Sequence, residues 1–210
     1  MEDLSSIEIF AFSGKMGSGK DFLARALSER LQRVSPAPSL FLSLADQLKV
    51  SVAVEEGVDL ARFYTRKDEA SRRLLQQRGT EEARKEKGEN VWVEYLLTWI
   101  RVHASRGISR FFVPDVRFPN EVEGLEAFAR QAGCRLTFFR VVSPERTATR
   151  LREESGGDDR LLAAIASHPS ETALDEMYGW PAMSFFLYND PFEMGLEVVK
   201  NWPASFRAPR

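Results

Sequence analysis

Apolar residues fall into short runs along this chain, and between the runs they recur at helical spacing. Ile7-Glu8-Ile9-Phe10-Ala11-Phe12 predicts a buried strand. Phe22, Leu23, Ala26, Leu27, Arg30 and Leu31 then follow a helical period, up to the loop Ser35-Pro36-Ala37-Pro38-Ser39. Leu40-Phe41-Leu42 predicts a second short strand, and helices are expected from Ala45 to Val54, about Arg66 to Arg78, and Val91 to Arg106. Phe111-Phe112-Val113 predicts a third strand, ending at Asp115. Pro119 to Ala132 predicts a helix with Gly133 as its C-terminal cap. Leu136 to Val142 is the fourth strand and Phe185-Phe186-Leu187-Tyr188 the fifth. Ser143-Pro144-Glu145 and Asp190-Pro191 each read as a polar cap followed by proline at the first helical position.

Strands alternating with helices imply an α/β fold: a five-stranded parallel sheet with helices on both faces and right-handed crossovers. Ligands in such sheets collect at the carboxyl ends of the strands. That rule gathers Ser13–Lys20, Ser43–Ala45, Asp115–Arg117 and Ser143 on one rim, with Asn189 near it.

Composition narrows the ligand. The 210 residues suffice for one domain with a continuous core. A net charge of -2 provides no basic field for a nucleic acid polymer, so a nucleotide-sized ligand fits better. Cys134 is the only cysteine and His103 and His168 the only histidines, which argues against a disulfide or a Cys/His metal cluster. No apolar run approaches the roughly 18 residues of a membrane span, and the acidic Met1-Glu2-Asp3-Leu4 start lacks a basic leader. The expectation is a cytoplasmic protein, in whatever cell or infected host makes it, with no membrane partner.

Between the first strand and first helix stands Gly14-Lys15-Met16-Gly17-Ser18-Gly19-Lys20-Asp21, with the G-x-x-x-x-G-K spacing of a phosphate-binding P-loop. Glycines let the backbone wrap an anion, and the following helix aims its positive end at the same point. Lys20 adds a full charge that can follow the β- and γ-phosphates. Asp21 replaces the usual Ser or Thr. Its carboxylate is still a hard oxygen ligand, able to hold Mg²⁺ directly or through water. It also brings negative charge to a polyphosphate, which costs affinity unless a cation lies between them.

Other residues could carry chemistry. Asp115 follows an apolar strand, as an acid supporting Mg²⁺ does, and in extended chain Arg117 would face the same side. A simple ion pair at a strand end is the alternative. Asn120 and Glu121 open the next helix, and either could cap it. Arg72 and Gln76 share a helix face, and Arg73 precedes Gln77 by four residues and Thr80 by seven. Arginine suits phosphate and glutamine a base edge or ribose, though a solvated charged helix has the same spacing. Arg146, Arg150 and Arg152 precede Ser155-Gly156-Gly157-Asp158-Asp159-Arg160, either a closing segment or a surface helix with a turn. Trp92, Tyr95 and Trp99 form a stripe of the kind that usually enters a core, with Trp92 also placed to stack on a base. His168-Pro169-Ser170-Glu171 shows no self-evident chemistry, and Ser170 could cap a short helix.

Taken in order, these landmarks resemble the bacteriophage deoxynucleoside monophosphate kinases. The matching points are Gly19-Lys20-Asp21, Arg72-Arg73-Leu74 with Gly79-Thr80, and Val91-Trp92-Val93, then Pro114-Asp115-Val116-Arg117 with Glu121, His168-Pro169-Ser170-Glu171 and Asn189-Asp190. Animal phosphomevalonate kinases are similar in fold and share the Gly-Lys-Asp ending.

The resemblance implies a single P-loop NTPase-fold domain over residues 1–210, with an acceptor-binding helical segment at about 44–106 and an arginine-bearing lid at about 144–170. It implies ATP as donor, Mg²⁺ as cofactor and a deoxynucleoside monophosphate as small-molecule acceptor, and family members suggest a homodimer. Gly14, Lys15, Met16, Gly17, Ser18, Gly19, Lys20 and Asp21 would surround the donor phosphates. Arg72, Arg73, Gly79, Thr80, Trp92, Asp115, Arg117 and Glu121 would line the acceptor side, with Lys49 reaching its phosphate. Lys20, Asp115, Arg117, Arg146 and Arg150 would serve catalysis, and Asp21 and Asp115 the metal. The chain departs from the family at Phe22, where Thr is common, and in a longer stretch between Ser143 and His168. A kinase for another small phosphorylated acceptor and a nucleotide-binding switch are the rival readings. Against the switch, neither Asp-x-x-Gly after a strand nor Asn-Lys-x-Asp occurs in the chain.

Overall fold

Five parallel strands form one sheet in the computed structural model of the chain, which describes residues 4–65, 69–78 and 88–203. They are β1 (Glu8–Gly14), β2 (Ser39–Phe41), β3 (Arg110–Val116), β4 (Arg135–Val142) and β5 (Ser184–Tyr188), in the spatial order β2-β3-β1-β4-β5. The described helices are α1 (Lys20–Val34), α2 (Leu44–Glu56), α3 (Arg62–Thr65), α4 (Glu69–Gln76), α5 (Val91–Ala104), α6 (Pro119–Ala132), α7 (Pro144–Ser155), α8 (Asp159–Ala166), α9 (Pro169–Thr172) and α10 (Phe192–Lys200). The chain leaves β1 toward β2 on one side and later reaches β4 on the other. The end of β1 is therefore the switch point where such sheets open a crevice.

Alternation along the strands divides the core into two layers. Ile9 and Ala11 of β1, Phe111 and Val113 of β3, and Leu136 and Phe138 of β4 pack with Leu44 of α2, Leu96 and Ile100 of α5, and Val122 and Leu125 of α6. Phe10, Phe12, Phe112, Phe139 and Val141 take the opposite face with Leu23 and Leu27 of α1, Val199 of α10 and Trp202. The Phe10–Phe112 and Phe12–Phe139 rings stack at 5.3 and 4.7 Å. A smaller cluster, Val52, Ala53 and Phe63 with Leu74 and Leu75, ties α2 to α3 and α4. At the far end of the sheet, Glu8 receives the guanidinium of buried Arg110 at 2.8 Å and that of Arg135 at 2.6 Å. Among the described residues, no helix is long and apolar enough to cross a membrane.

Several boundaries differ from expectation for local reasons. β3 runs past Asp115 to Val116, with an irregularity that pairs Ala11 with Val113 but Ser13 with Val116. Pro114 has no N–H to give the ladder, so the strand bulges there and re-aims Asp115. After Ser143 the chain forms three helices: Gly156 at φ +57° ends α7 at the expected glycine turn, and the Asp158 side chain caps α8 by accepting from the amides of Arg160 and Leu161. The last helix begins at Phe192, with Pro191 as its cap residue. Asp190 does not cap that helix. Its carboxylate accepts from Ser143 Oγ at 2.6 Å and from the Glu145 amide at 2.8 Å, so it caps α7 in place of Ser143.

Candidate active site

The glycine loop closes over the end of β1. A side chain at Gly14 would lie 2.8 Å from the Val141 carbonyl oxygen, so the β1–β4 pairing requires glycine there. Gly17 has φ +79°, and its missing Cβ would stand 2.6 Å from Arg150 Cβ and 3.0 Å from the Arg146 carbonyl. Helix α7, which carries Arg146 and Arg150, thus packs directly on the loop. Gly19, at φ +88°, precedes Lys20, the first residue of α1, so the unpaired amides of that first turn border the loop. Lys20 is buried, with Nζ 3.1 Å from Asp21 Oδ2, while the Asp21 side chain is 64% exposed. Buried Asn189 donates through Nδ2 to the Ser18 carbonyl at 2.8 Å. Among the described residues, Ser13 Oγ, Ser18 Oγ and Asn189 Oδ1 are buried at the base of the loop without a hydrogen-bond partner.

A short acidic segment grips the same loop. Glu171 accepts from the Met16 amide at 2.7 Å through Oε2 and from Arg117 Nη1 at 2.5 Å through Oε1. Asp175 accepts from Lys15 Nζ at 2.6 Å and from Arg140 Nη2 at 3.0 Å. Arg117 Nη1 also donates to the Ser170 carbonyl at 3.2 Å. Burial opposes charge on Arg117, but Glu171, with Asp115 and Glu121 nearby, more than offsets this and raises its pKa. Arg140 goes the other way: burial lowers its pKa despite Asp175 and Glu171. His168, rather than Ser170, caps α9, with Nδ1 accepting from the Ser170 amide at 3.2 Å.

Several residues expected to line an acceptor site are held by the fold itself. Asp115 accepts from the amides of Leu44 at 2.9 Å and Ala45 at 3.1 Å, and from Ser43 Oγ. It therefore caps α2, and its oxygens are less open to a metal than those of Asp21. Glu121 is buried and accepts from the Arg117 and Phe118 amides at 2.8 and 3.1 Å, the capping role foreseen as an alternative for it. Trp92 is 5% exposed and belongs to the core, whereas Tyr95 and Trp99 of the same stripe are 39% and 44% exposed. Trp92 is thus core rather than an open platform for a base. Lys49 lies 3.5 Å from Asp46 Oδ1 and 4.1 Å from the centre of the Tyr64 ring. Tyr64 donates to Asp46 at 2.7 Å, and burial together with the Asp46 and Asp115 carboxylates raises its pKa, keeping the phenol protonated.

On α7, Arg150 pairs with Glu153 at 3.1 Å and with Glu154. Arg72 and Arg73 lie on α4, of which the backbone is described at these positions. Gly79 and Thr80 lie outside the described residues. Glu171 and Asp175 were not assigned a role by sequence reasoning. For Glu171 the available signal is its place at the end of His168-Pro169-Ser170-Glu171, following a proline-marked helix start; Asp175 lies beyond that motif.

A β1–glycine loop–α1 unit at the carboxyl edge of a five-stranded parallel sheet defines the P-loop fold, and solved structures share the overall fold. A kinase candidate from Chloroflexus aurantiacus aligns over 94% of this chain and 96% of its own, with TM-score 0.53 and 15% identity. A sugar kinase from a Janibacter species, in unliganded form, aligns over 94% of each chain, with TM-score 0.51 and 16% identity. At these identities the likeness is one of fold. No family model matches the sequence, and no curated protein matches it either.

Proposed function

We propose that this chain is an ATP-dependent kinase that phosphorylates a deoxynucleoside monophosphate to the diphosphate by direct in-line transfer. The observation that carries this reading is the convergence at one rim. The Gly14–Lys20 loop, the Arg117 guanidinium and the arginine-bearing helix α7 meet there, with Gly17 in contact with Arg150. The kinase neighbours support the reading at the level of phosphoryl transfer, and the resemblance to phage enzymes supports the acceptor.

Phosphoryl transfer asks a protein for placement and charge rather than covalent chemistry. The loop amides and Lys20 would hold the donor phosphates. Arg117 would face the acceptor phosphate, and Arg146 and Arg150 are placed by α7 to approach the moving group. Asp21, with its open carboxylate in the first turn of α1, fits a Mg²⁺ ligand, direct or through water. Mg²⁺, when bound, would neutralise charge on the β- and γ-phosphates. Packing of α7 and α9 over the loop would keep water from the transferring group.

The test is a panel of acceptors with Mg²⁺-ATP, followed by ADP release. Transfer to one or more deoxynucleoside monophosphates is expected, with phosphomevalonate and sugars inert. Transfer to phosphomevalonate or a sugar alone would replace this reading. Lys20→Ala should lower kcat by roughly two to three orders of magnitude while circular dichroism is unchanged, because it removes transition-state charge rather than core packing. Near wild-type turnover in that variant would mean the donor site lies elsewhere.

A further inference from the structure

Residues 168–175 meet the P-loop at two points, each through one carboxylate with two cationic or N–H partners. Glu171 joins the Met16 amide of the loop to Arg117, which follows β3. Asp175 joins Lys15 of the loop to Arg140 of β4. Each acid thus ties one loop group to one arginine from a strand end. Glu171 is the more constrained of the two. It is buried, both of its oxygens are engaged, and α9 is fixed by the His168 cap just before it. Charge-assisted hydrogen bonds to a buried carboxylate are short and strongly directional, so they hold geometry as well as charge.

We propose that Glu171 is a positioning residue, which sets the Arg117 guanidinium at a fixed place relative to the donor loop by bridging it to the Met16 amide. This deepens the phosphoryl-transfer reading and rests on it. In-line transfer requires the acceptor phosphate to meet the donor within a few tenths of an ångström of a fixed separation. Arginine has a long side chain that does not hold such a position alone. The bridge supplies the constraint, and Asp175 repeats it for Lys15.

The experiment uses Glu171→Gln and Glu171→Asp in the full chain. Glu171→Asp keeps a negative charge beside Arg117 but is one methylene too short to span both donors, so it carries the test if Glu171→Gln does not fold. Both should lower kcat by about tenfold or more, while the Mg²⁺-ATP dissociation constant moves by less than about threefold. Glu171→Gln with Arg117→Lys should be no worse than about threefold below the worse single variant, because the two residues act as one unit. Exchange of the Met16 amide hydrogen should speed up by about tenfold or more while β1 amides keep their rates. A merely structural Glu171 would lower the melting temperature and leave kcat per folded molecule unchanged, which overturns the proposal. Multiplicative losses in the double variant would also overturn it. So would tighter Mg²⁺-ATP binding by Glu171→Gln, since the carboxylate would then be competing for the phosphate seat. If the wild-type chain phosphorylates no acceptor, the functional reading fails separately, and the bridge is judged on Met16 exchange and the Mg²⁺-ATP titration.

Discussion

Asp115 shows how one carboxylate can organise a rim through its contacts to a helix start. Its two oxygens take the amides of Leu44 and Ala45, which the first turn of α2 leaves without backbone partners, and the hydroxyl of Ser43. Asp115→Asn replaces one of those oxygens with an NH₂ group, which turns a donor toward a donor. The expected cost is about 1–3 kcal/mol of stability, read as a lower urea midpoint with unchanged slope, and a weaker hold on α2. A midpoint equal to wild type would mean the contacts to α2 are incidental. Residues of this kind are hard to read from sequence. An acid after a strand predicts a rim position correctly, but whether it meets a metal or a helix end depends on what the fold brings to it. Glu171 makes the same point more strongly: its partner Arg117 lies 54 positions away and the Lys15 partner of Asp175 lies 160 away. No local pattern encodes such pairs. The P-loop was legible because its chemistry is local, with glycines, lysine and helix start in eight consecutive residues.

Among the elements, α10 is coupled to the loop through the side chain of Asn189. Gly195 on this helix leaves room for Asn189, whose Oδ1 would be 2.6 Å from an added Cβ, with Leu23 Cδ1 at 3.1 Å. Asn189 in turn holds the Ser18 carbonyl. Replacing a helical glycine with alanine ordinarily gains up to about 1 kcal/mol from propensity. Here the added methyl meets a fully buried side chain that cannot swing aside without dropping its bond to the loop, and overpacking of that kind costs about 1–3 kcal/mol. The second effect is the larger. Gly195→Ala should therefore lower the melting temperature and weaken Mg²⁺-ATP binding together, and a melting temperature above wild type would show that Asn189 has room to move. The helix itself was foreseen, but its cap was misassigned. Asp190 serves Ser143 and Glu145 of α7 because those groups are its neighbours in space. Element existence follows from periodicity along the chain, whereas capping follows from proximity in the fold.

At the scale of the whole molecule, the alternation of inward residues on β1 explains why five short strands and their helices were readable at all. Ile9 and Ala11 must find one layer and Phe10 and Phe12 another, so both faces need helices, and the helical crossovers between strands let them run parallel. That geometry sends every strand end to one rim and makes the loop after β1 the natural seat of a phosphate chain. It also makes a global prediction that does not depend on the acceptor. A ligand that binds the native state at about 100 times its dissociation constant adds about 2.7 kcal/mol of stability. For a domain of this length each kcal/mol raises the melting temperature by about 2–4 °C, so saturating Mg²⁺-ATP should raise it by roughly 5–10 °C. Lys20→Ala should lose most of that rise, since the ammonium is the one full positive charge on the first turn of α1. Glu171→Asp should keep most of it, since Glu171 positions the acceptor side. A shift of equal size in wild type and Lys20→Ala would place the nucleotide away from the glycine loop. The absence of any shift in wild type would leave the loop a folded glycine turn with no phosphate to hold.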